Sequence, residues 1–210
     1  MERFLDYGCG DGNASELMQN RIERKNWLNH FGGKDWIGID VNDEYIMKSK
    51  EKTSNGSEFI CSDGKFLPFR DNSFSVVHET GALHHMSFYN NGVEEIARVM
   101  DNGSCLYMRE VVSNNPFYNL IRKMVGNWKG DEIDSYFTSE ELLEKIDDYF
   151  DVYNVEYYWR SVLSDALAML DREGIVSLYY CKFVSRALKL VKLDKFFCCH
   201  FLIEACRKDN

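Results

Sequence analysis

Over the first 110 residues, short apolar runs alternate with longer segments of helical periodicity, the pattern of βαβ units that build a parallel sheet. The runs predict strands at about residues 3–7, 36–40, 57–61, 74–78 and 104–110. Between the last two, Val93, Ile96, Ala97 and Met100 recur at i, i+3, i+4 and i+7, while Glu94, Glu95 and Arg98 fall elsewhere. That spacing predicts an amphipathic helix with one stripe buried on the sheet. The turn residues Asp101-Asn102-Gly103 stop it.

Past residue 110 the pattern predicts a Ser-Asn-Asn-Pro turn at 113–116, a helix to about Val125 and a polar loop at 126–134. Thr138 followed by Glu141 is a capping-box signature for a helix at about 139–148. Phe150–Tyr157 and His200–Cys206 read as two further strands, and residues 159–197 between them as one or two helices. That segment is expected to be an insertion and not a second domain, so 1–210 reads as one domain with halves 1–110 and 111–210.

With 45% hydrophobic and 14% aromatic residues and only two prolines, the composition excludes a disordered or collagen-like chain. Twenty-five basic against 34 acidic residues, 25 − 34 = −9, speaks against a general electrostatic grip on nucleic acid. The seven cysteines are odd in number, scattered and without a C-x-x-C pair, which fits reduced thiols in a cytoplasm better than a disulfide framework or a zinc ribbon. Glu2, Arg3 and Asp6 stand where a signal peptide needs its apolar stretch. No run approaches the roughly 18 apolar residues of a membrane span.

The chemistry concentrates at predicted strand ends. Leu5-Asp6-Tyr7-Gly8-Cys9-Gly10-Asp11-Gly12 runs from a strand into a turn with a glycine at every second position and then toward a helix beginning near Ala14. Glycine there permits positive φ and close approach of a ligand to the backbone, and a helix N-terminus offers unpaired N–H groups. The second strand ends in Gly38-Ile39-Asp40, placing a carboxylate where it can accept both hydroxyls of a ribose, while Asn42 or Asp43 can cap the helix that follows. The third ends in Cys61-Ser62-Asp63-Gly64, an acid able to accept from an adenine amino group.

With these motifs the sequence resembles the class I S-adenosylmethionine-dependent methyltransferases. The resemblance is carried by Asp6-x-Gly8-x-Gly10-x-Gly12, Asp40, Ser62-Asp63-Gly64 with Leu67-Pro68-Phe69, Asp71-Asn72-Ser73-Phe74, Gly81-Ala82-Leu83-His84-His85-Met86 and the helix Glu94–Met100. It implies an α/β Rossmann-like methyltransferase fold, a seven-stranded mostly parallel sheet with an antiparallel last strand and helices on both faces. It implies S-adenosyl-L-methionine as cofactor, with Asp6, Gly8, Gly10 and Gly12 toward its methionine part, Asp40 and Val41 at the ribose, Asp63 and Gly64 at the adenine, and Glu79 lining the sulfonium pocket. A dinucleotide dehydrogenase would need a glycine where Asn13 stands. Helices that commonly precede the first strand in this family would cover the site, and here that cover is expected from residues 159–197.

A sulfonium methyl is already electrophilic, so the protein mainly has to align a nucleophile, adding a base only if the acceptor must lose a proton. Glu79, His84 and His85, expected just beyond the fourth strand, are the candidate catalytic residues. Glu79-Thr80-Gly81-Ala82 replaces the Asn/Asp-Pro-Pro-aromatic motif of nucleobase amine methyltransferases, which points to oxygen or carbon of a small or lipid-like acceptor. The contrasting reading is a catalytically silent methyltransferase-fold subunit acting through a partner. His78, Cys198, Cys199 and His200 are not expected to converge on a metal. Residues 174–203 carry five basic side chains (Lys182, Arg186, Lys189, Lys192, Lys195) against Asp194, giving +4. They read either as a peripheral membrane contact through 174–197 that covers a lipid acceptor, or as a packed amphipathic helix with a solvated basic face.

Overall fold

The computed structural model describes residues 3–12, 36–52, 57–85, 89–116, 119–120, 137–158, 183–184, 186–190, 192–194 and 200–209. In chain order they form β1 (Phe4–Tyr7), β2 (Trp36–Asp40), α1 (Asp43–Lys52), β3 (Glu58–Cys61), β4 (Phe74–Thr80), a 3₁₀ turn (Leu83–His85), α2 (Tyr89–Val99), β5 (Met100–Val111), α3 (Ser139–Asp147), β6 (Phe150–Tyr158) and β7 (His200–Arg207).

The seven strands lie in the order β3-β2-β1-β4-β5-β7-β6. β1 runs parallel to both β2 and β4, with Phe4 opposite Trp36 and Val76, and β2–β3 and β4–β5 are parallel as well. β7 is antiparallel to β5 and β6, so it alone reverses direction, as the family resemblance implies. From β1 the chain steps outward to β2 and β3 and then returns to β4, which makes β1/β4 the topological switch point where α/β sheets open a ligand crevice at their carboxyl edge.

Val93, Ile96, Ala97 and Met100 are all buried, so the predicted stripe of α2 faces the core together with Leu142 and Ile146 of α3 and Phe150 of β6. Each such aliphatic side chain contributes about 1.5–3 kcal/mol on leaving water. The capping box of α3 forms as predicted: the Glu141 N–H donates to Thr138 Oγ1 at 3.2 Å, and the Thr138 N–H to Glu141 Oε2 at 2.6 Å. A smaller cluster of Cys9, Ile46 and Phe59 seats α1 beside β2 and β3. Gly38 makes room for it, since a Cβ there would lie 2.8 Å from the Phe59 ring and 2.9 Å from Cys9 Sγ.

Two predicted boundaries move. β4 continues to Thr80, two residues past the predicted end, so Glu79 lies in the strand and not beyond it. β5 begins at Met100, because Asp101–Ser104 do not end the pairing but bulge out of it: the register passes from Phe74↔Met100 to Val76↔Cys105. Gly103 (φ 71°) and a hydrogen bond from the Ser104 hydroxyl to the Asp101 carbonyl shape the bulge. Of the predicted insertion, residues 183–184, 186–190 and 194 are helical and 192 lies in a turn; the predicted helix near Ala14 and residues 159–182, 185, 191 and 195–197 lie outside the described residues.

Buried Arg207 locks the far end of the sheet. Its Nε donates to the Ala97 carbonyl in the last turn of α2 and Nη1 to the Tyr149 carbonyl, both at 2.9 Å, while the guanidinium lies 5.9 Å from the Tyr149 and Phe150 rings. Losing charged hydrogen bonds to carbonyls that stay buried should cost about 2–3 kcal/mol. Arg207→Met is therefore expected to lower the urea midpoint without changing the denaturant slope; an unchanged midpoint would show these bonds to be dispensable.

Candidate active site

β1 delivers the chain into a loop in which Gly8, Gly10 and Gly12 have φ of 74°, 55° and 78°. The Gly8 and Cys9 N–H groups both donate to the Ile39 carbonyl, at 2.9 and 2.8 Å, pinning the loop to the end of β2. At Gly8 a side chain is excluded twice, by its φ and by Ala82, whose Cβ would lie 2.3 Å from the added atom. Among the described residues a Cβ on Gly10 would meet nothing within 4 Å, so the turn leaves space on that side of the residue.

Asp40 closes the loop from β2. Its Oδ2 accepts from the Gly10 N–H and its Oδ1 from the Asn42 N–H, each at 2.9 Å. Asn42 caps α1 by accepting from Glu44 and Tyr45, as anticipated, and each Asp40 oxygen keeps lone-pair capacity for a ligand hydroxyl. After β3, Asp63 is exposed and accepts from the Lys65 N–H at 3.0 Å, while Gly64 is buried and its carbonyl accepts from the Tyr7 hydroxyl at 2.9 Å. Burial, reinforced by Glu79 and Asp63, pushes the Tyr7 phenol upward and keeps it a donor. Val41 (72% exposed) and Phe66 (77%) add apolar surface after β2 and β3.

Arg98 of α2 fixes the segment beyond Asp63. It donates to the Leu67 and Phe69 carbonyls and to Asp71 and Glu95, and Glu95 in turn accepts from the Leu67 N–H at 2.7 Å. Hydrogen bonding to Arg98 holds the Glu95 carboxyl below its usual range. The sequence pattern marked Arg98 only as a polar helix position; its three-residue spacing from Glu95 was the available signal.

At the end of β4 the side chains divide between two networks. His78 joins Asp6 through Nδ1 at 2.9 Å and Thr80 through Nε2 at 2.9 Å, so Asp6 is engaged by a histidine and His78 is committed within the sheet. Glu79 is fully buried, with Oε1 accepting from the Ala82 N–H at 2.6 Å. Beside it lies Glu110 of β5, also fully buried, which accepts from the Leu83 N–H (2.6 Å), His84 Nδ1 (2.7 Å) and the Val111 N–H (2.9 Å). His85 is exposed and its ring lies 4.1 Å from that of His84. Glu110 was not among the predicted residues. Its signal was an acid in the inward register Leu106, Met108, Glu110, Val112, where apolar side chains otherwise stand.

Among the described residues Glu79 Oε2 meets no donor as long as both acids are ionised. Burial first, and then the charge of Glu110, push the Glu79 carboxyl well above its usual range. Against the opposing effect of burial, hydrogen bonds from His84, Glu79 and the Val111 N–H hold Glu110 below that range. The pair therefore keeps one proton, on Glu79. Of the two acids Glu110 has the donors that favour its ionised form.

A family model described as methyltransferase domain matches residues 5–108, which span the glycine loop, both strand-end acids and β5 up to Met108. Residues 5–108 carry this methyltransferase domain, and the fold is that of the class I S-adenosylmethionine-dependent methyltransferases. Phthiotriol/phenolphthiotriol dimycocerosates methyltransferase 1 of Mycobacterium ulcerans is 24% identical over 115 residues, 54% of this chain and 39% of that protein. The mitochondrial 2-methoxy-6-polyprenyl-1,4-benzoquinol methylase of Bos taurus is 24% identical over 183 residues, 70% of this chain and 55% of its own length. The chain thus spans about half or less of the length of these relatives. An S-adenosylmethionine-dependent methyltransferase of Mesorhizobium loti shares the fold, with a TM-score of 0.65 and 17% identity over 98% of this chain and 90% of that one.

The cofactor of this family is S-adenosylmethionine, and the space beside Gly10 and the strand-end acids Asp40 and Asp63 fit it. Among the described residues no helix is long and apolar enough to cross a membrane. Cys198 and Cys199 lie outside the described residues.

The shared proton makes stability depend on pH. The folded chain keeps Glu79 protonated at pH values where the unfolded chain has ionised it, so the native state binds more protons and stability falls as pH rises through and above the ordinary carboxylate range. Glu79→Gln retains a donor for Glu110 and an acceptor for Ala82. It should flatten this fall and melt at least as high as the parent at neutral pH and above; parallel melting curves for the two proteins across the pH series would disprove the shared proton.

Proposed function

We propose that this chain transfers the methyl group of S-adenosylmethionine to oxygen or carbon of a small or lipid-like acceptor. The observation that carries the reading is the left-handed glycine loop held by Asp40 at the β1/β4 switch point, with Asp63 at the next strand end. Gly8, Gly10 and Gly12 form the backbone cradle for the methionine part, Asp40 and Val41 lie at the ribose, and Asp63, Gly64 and the exposed Phe66 border the adenine. Asp6 supports the loop through His78, and neutral Glu79 holds Ala82 against Gly8. When bound, the cofactor supplies an electrophilic methyl carbon on a sulfonium. The lipid-like acceptor is supported by the names of the two relatives, which act on a dimycocerosate and a polyprenyl quinol.

Calorimetry with S-adenosylmethionine and S-adenosylhomocysteine tests the reading. Each of Asp40→Ala and Asp63→Ala should weaken binding by about 1.5–3 kcal/mol, the value of a hydrogen bond to a charged group, with the fold retained. No binding of either ligand by the parent chain would favour a silent subunit acting through a partner.

The acceptor route includes a membrane surface. Phe183 (72% exposed) and Leu190 (85%) stand beside exposed Arg186, Lys189 and Lys192, an apolar and basic combination suited to anionic headgroups. Vesicles containing phosphatidylglycerol should carry the protein upward in flotation, and Arg186→Ala with Lys189→Ala should reduce its recovery. Equal and negligible recovery of both proteins would leave the basic face as a solvated surface.

A further inference from the structure

Away from the crevice, β5 and β7 set two cysteines face to face. Their antiparallel register puts Cys105 directly opposite Cys206, and the adjoining Leu106 and Ala205 are buried in the core. Side chains alternate along a strand, so the two thiols project together from the other face of the sheet, where both are half-buried. Directly opposed residues of an antiparallel ladder have Cα atoms about 4.5 or 5.5 Å apart, according to the kind of pair they form, and a disulfide spans about 4.4–6.8 Å. Either kind of pair therefore admits the bond without displacing the backbone. The two thiols already share a hydrogen bond. Burial first, and then the charge of Cys206, push the Cys105 thiol upward, while the Tyr107 hydroxyl, itself hydrogen-bonded to Tyr153, gives the Cys105 sulfur a donor. The other described cysteines are engaged elsewhere: Cys9 is buried and donates to the Gly10 carbonyl, and Cys61 donates to the Val41 carbonyl.

We propose that Cys105 and Cys206 are a modification site, a dithiol that closes reversibly to a disulfide by exchange with a small disulfide of the glutathione type and so clasps β5 to β7. Exchange begins when the Cys206 thiolate attacks one sulfur of the small disulfide; a mixed disulfide forms, and the first small thiol leaves with the proton that Cys206 gave up. Cys105 then attacks Cys206 Sγ, and the second small thiol leaves with the proton of Cys105. The two protein sulfurs are thereby oxidised by two electrons and the small disulfide is reduced by two. The hydrogen bond from Tyr107 supports the charge on Cys105 as its proton departs. In the folded chain the two sulfurs are already side by side, so the effect of the bond falls on the unfolded chain. It joins residues about 100 positions apart and turns everything between β5 and β7, α3 and β6 included, into one covalent loop. The clasp does not depend on the methyl-transfer reading.

The full chain, equilibrated with excess glutathione disulfide, alkylated and mapped without reduction, tests this. A peptide joining Cys105 to Cys206 is expected, and dithiothreitol should return both residues to the alkylated form. The oxidised protein should melt roughly 5–15 °C above the reduced one, as closure of so long a loop predicts. Cys105→Ser and Cys206→Ser should each abolish both the linked peptide and the shift, and Cys105→Ser should leave glutathione attached to Cys206. Both cysteines still free at equilibrium, a glutathione adduct that persists on Cys206 of the parent, or a link from either residue to Cys181, Cys198 or Cys199 would overturn the proposal. A linked peptide with an unchanged melting temperature would overturn the clasp. If neither serine variant folds, the peptide map of the parent and its reversal by dithiothreitol decide alone.

Discussion

Two carboxyl groups fully buried side by side cannot both ionise, and the architecture around the crevice follows from how this chain resolves that conflict. Glu110 collects backbone N–H groups and His84 and stays charged; Glu79 keeps the proton and lends its other oxygen to Ala82. Between them they hold the turn after β4 at one fixed height. Ala82 then sits where any side chain at residue 8 would be, so the glycine loop and the turn define each other's position. The glycine loop and His84 thereby share one support, and a shift in either acid would be felt by both.

The parallel order of β3-β2-β1-β4-β5 explains why so few residues suffice. Each strand ends at the same edge, so single acids at residues 40, 63 and 110 reach one crevice without long loops. Arg98 and Arg207 do for α2 what the acids do for the edge. One ties its outer side to the segment after Asp63, the other its last turn to the start of β6. Both use guanidinium donors on backbone carbonyls, which positions chain segments with no need for an acidic partner at every contact.

What the sequence made readable was what periodicity and turn chemistry dictate. The strands, the buried stripe of α2, the capping box at Thr138 and the glycine loop are local patterns, each enforced within about ten residues. The continuation of β4 through Glu79 was not readable, because an acid in a strand normally faces solvent and its partner lies 31 positions away, Glu110 minus Glu79. Glu110 was missed for the same reason: its justification is a set of donors from β4's following turn, which sequence spacing does not encode. The reach of β5 back to Met100 was hidden by Asp-Asn-Gly, since a bulge and a chain-stopping turn use the same residues.

The acids at the crevice can be sorted by how much hydrogen-bonding capacity each has left. Glu110 holds two backbone donors, a histidine and the proton of Glu79, and Glu79 itself is neutral, so neither offers a charge to a ligand directly. Asp6 is paired with His78. Asp40 accepts two backbone N–H groups and Asp63 one, which leaves open lone pairs on both, nearer to solvent than the buried pair. A carboxylate that is half-satisfied by its own backbone is held in place yet still able to accept, whereas one with every donor filled is a scaffold. On that physical ground Asp40 and Asp63 keep capacity to accept from a ligand, whereas Glu79 and Glu110 spend theirs on supporting the turn after β4.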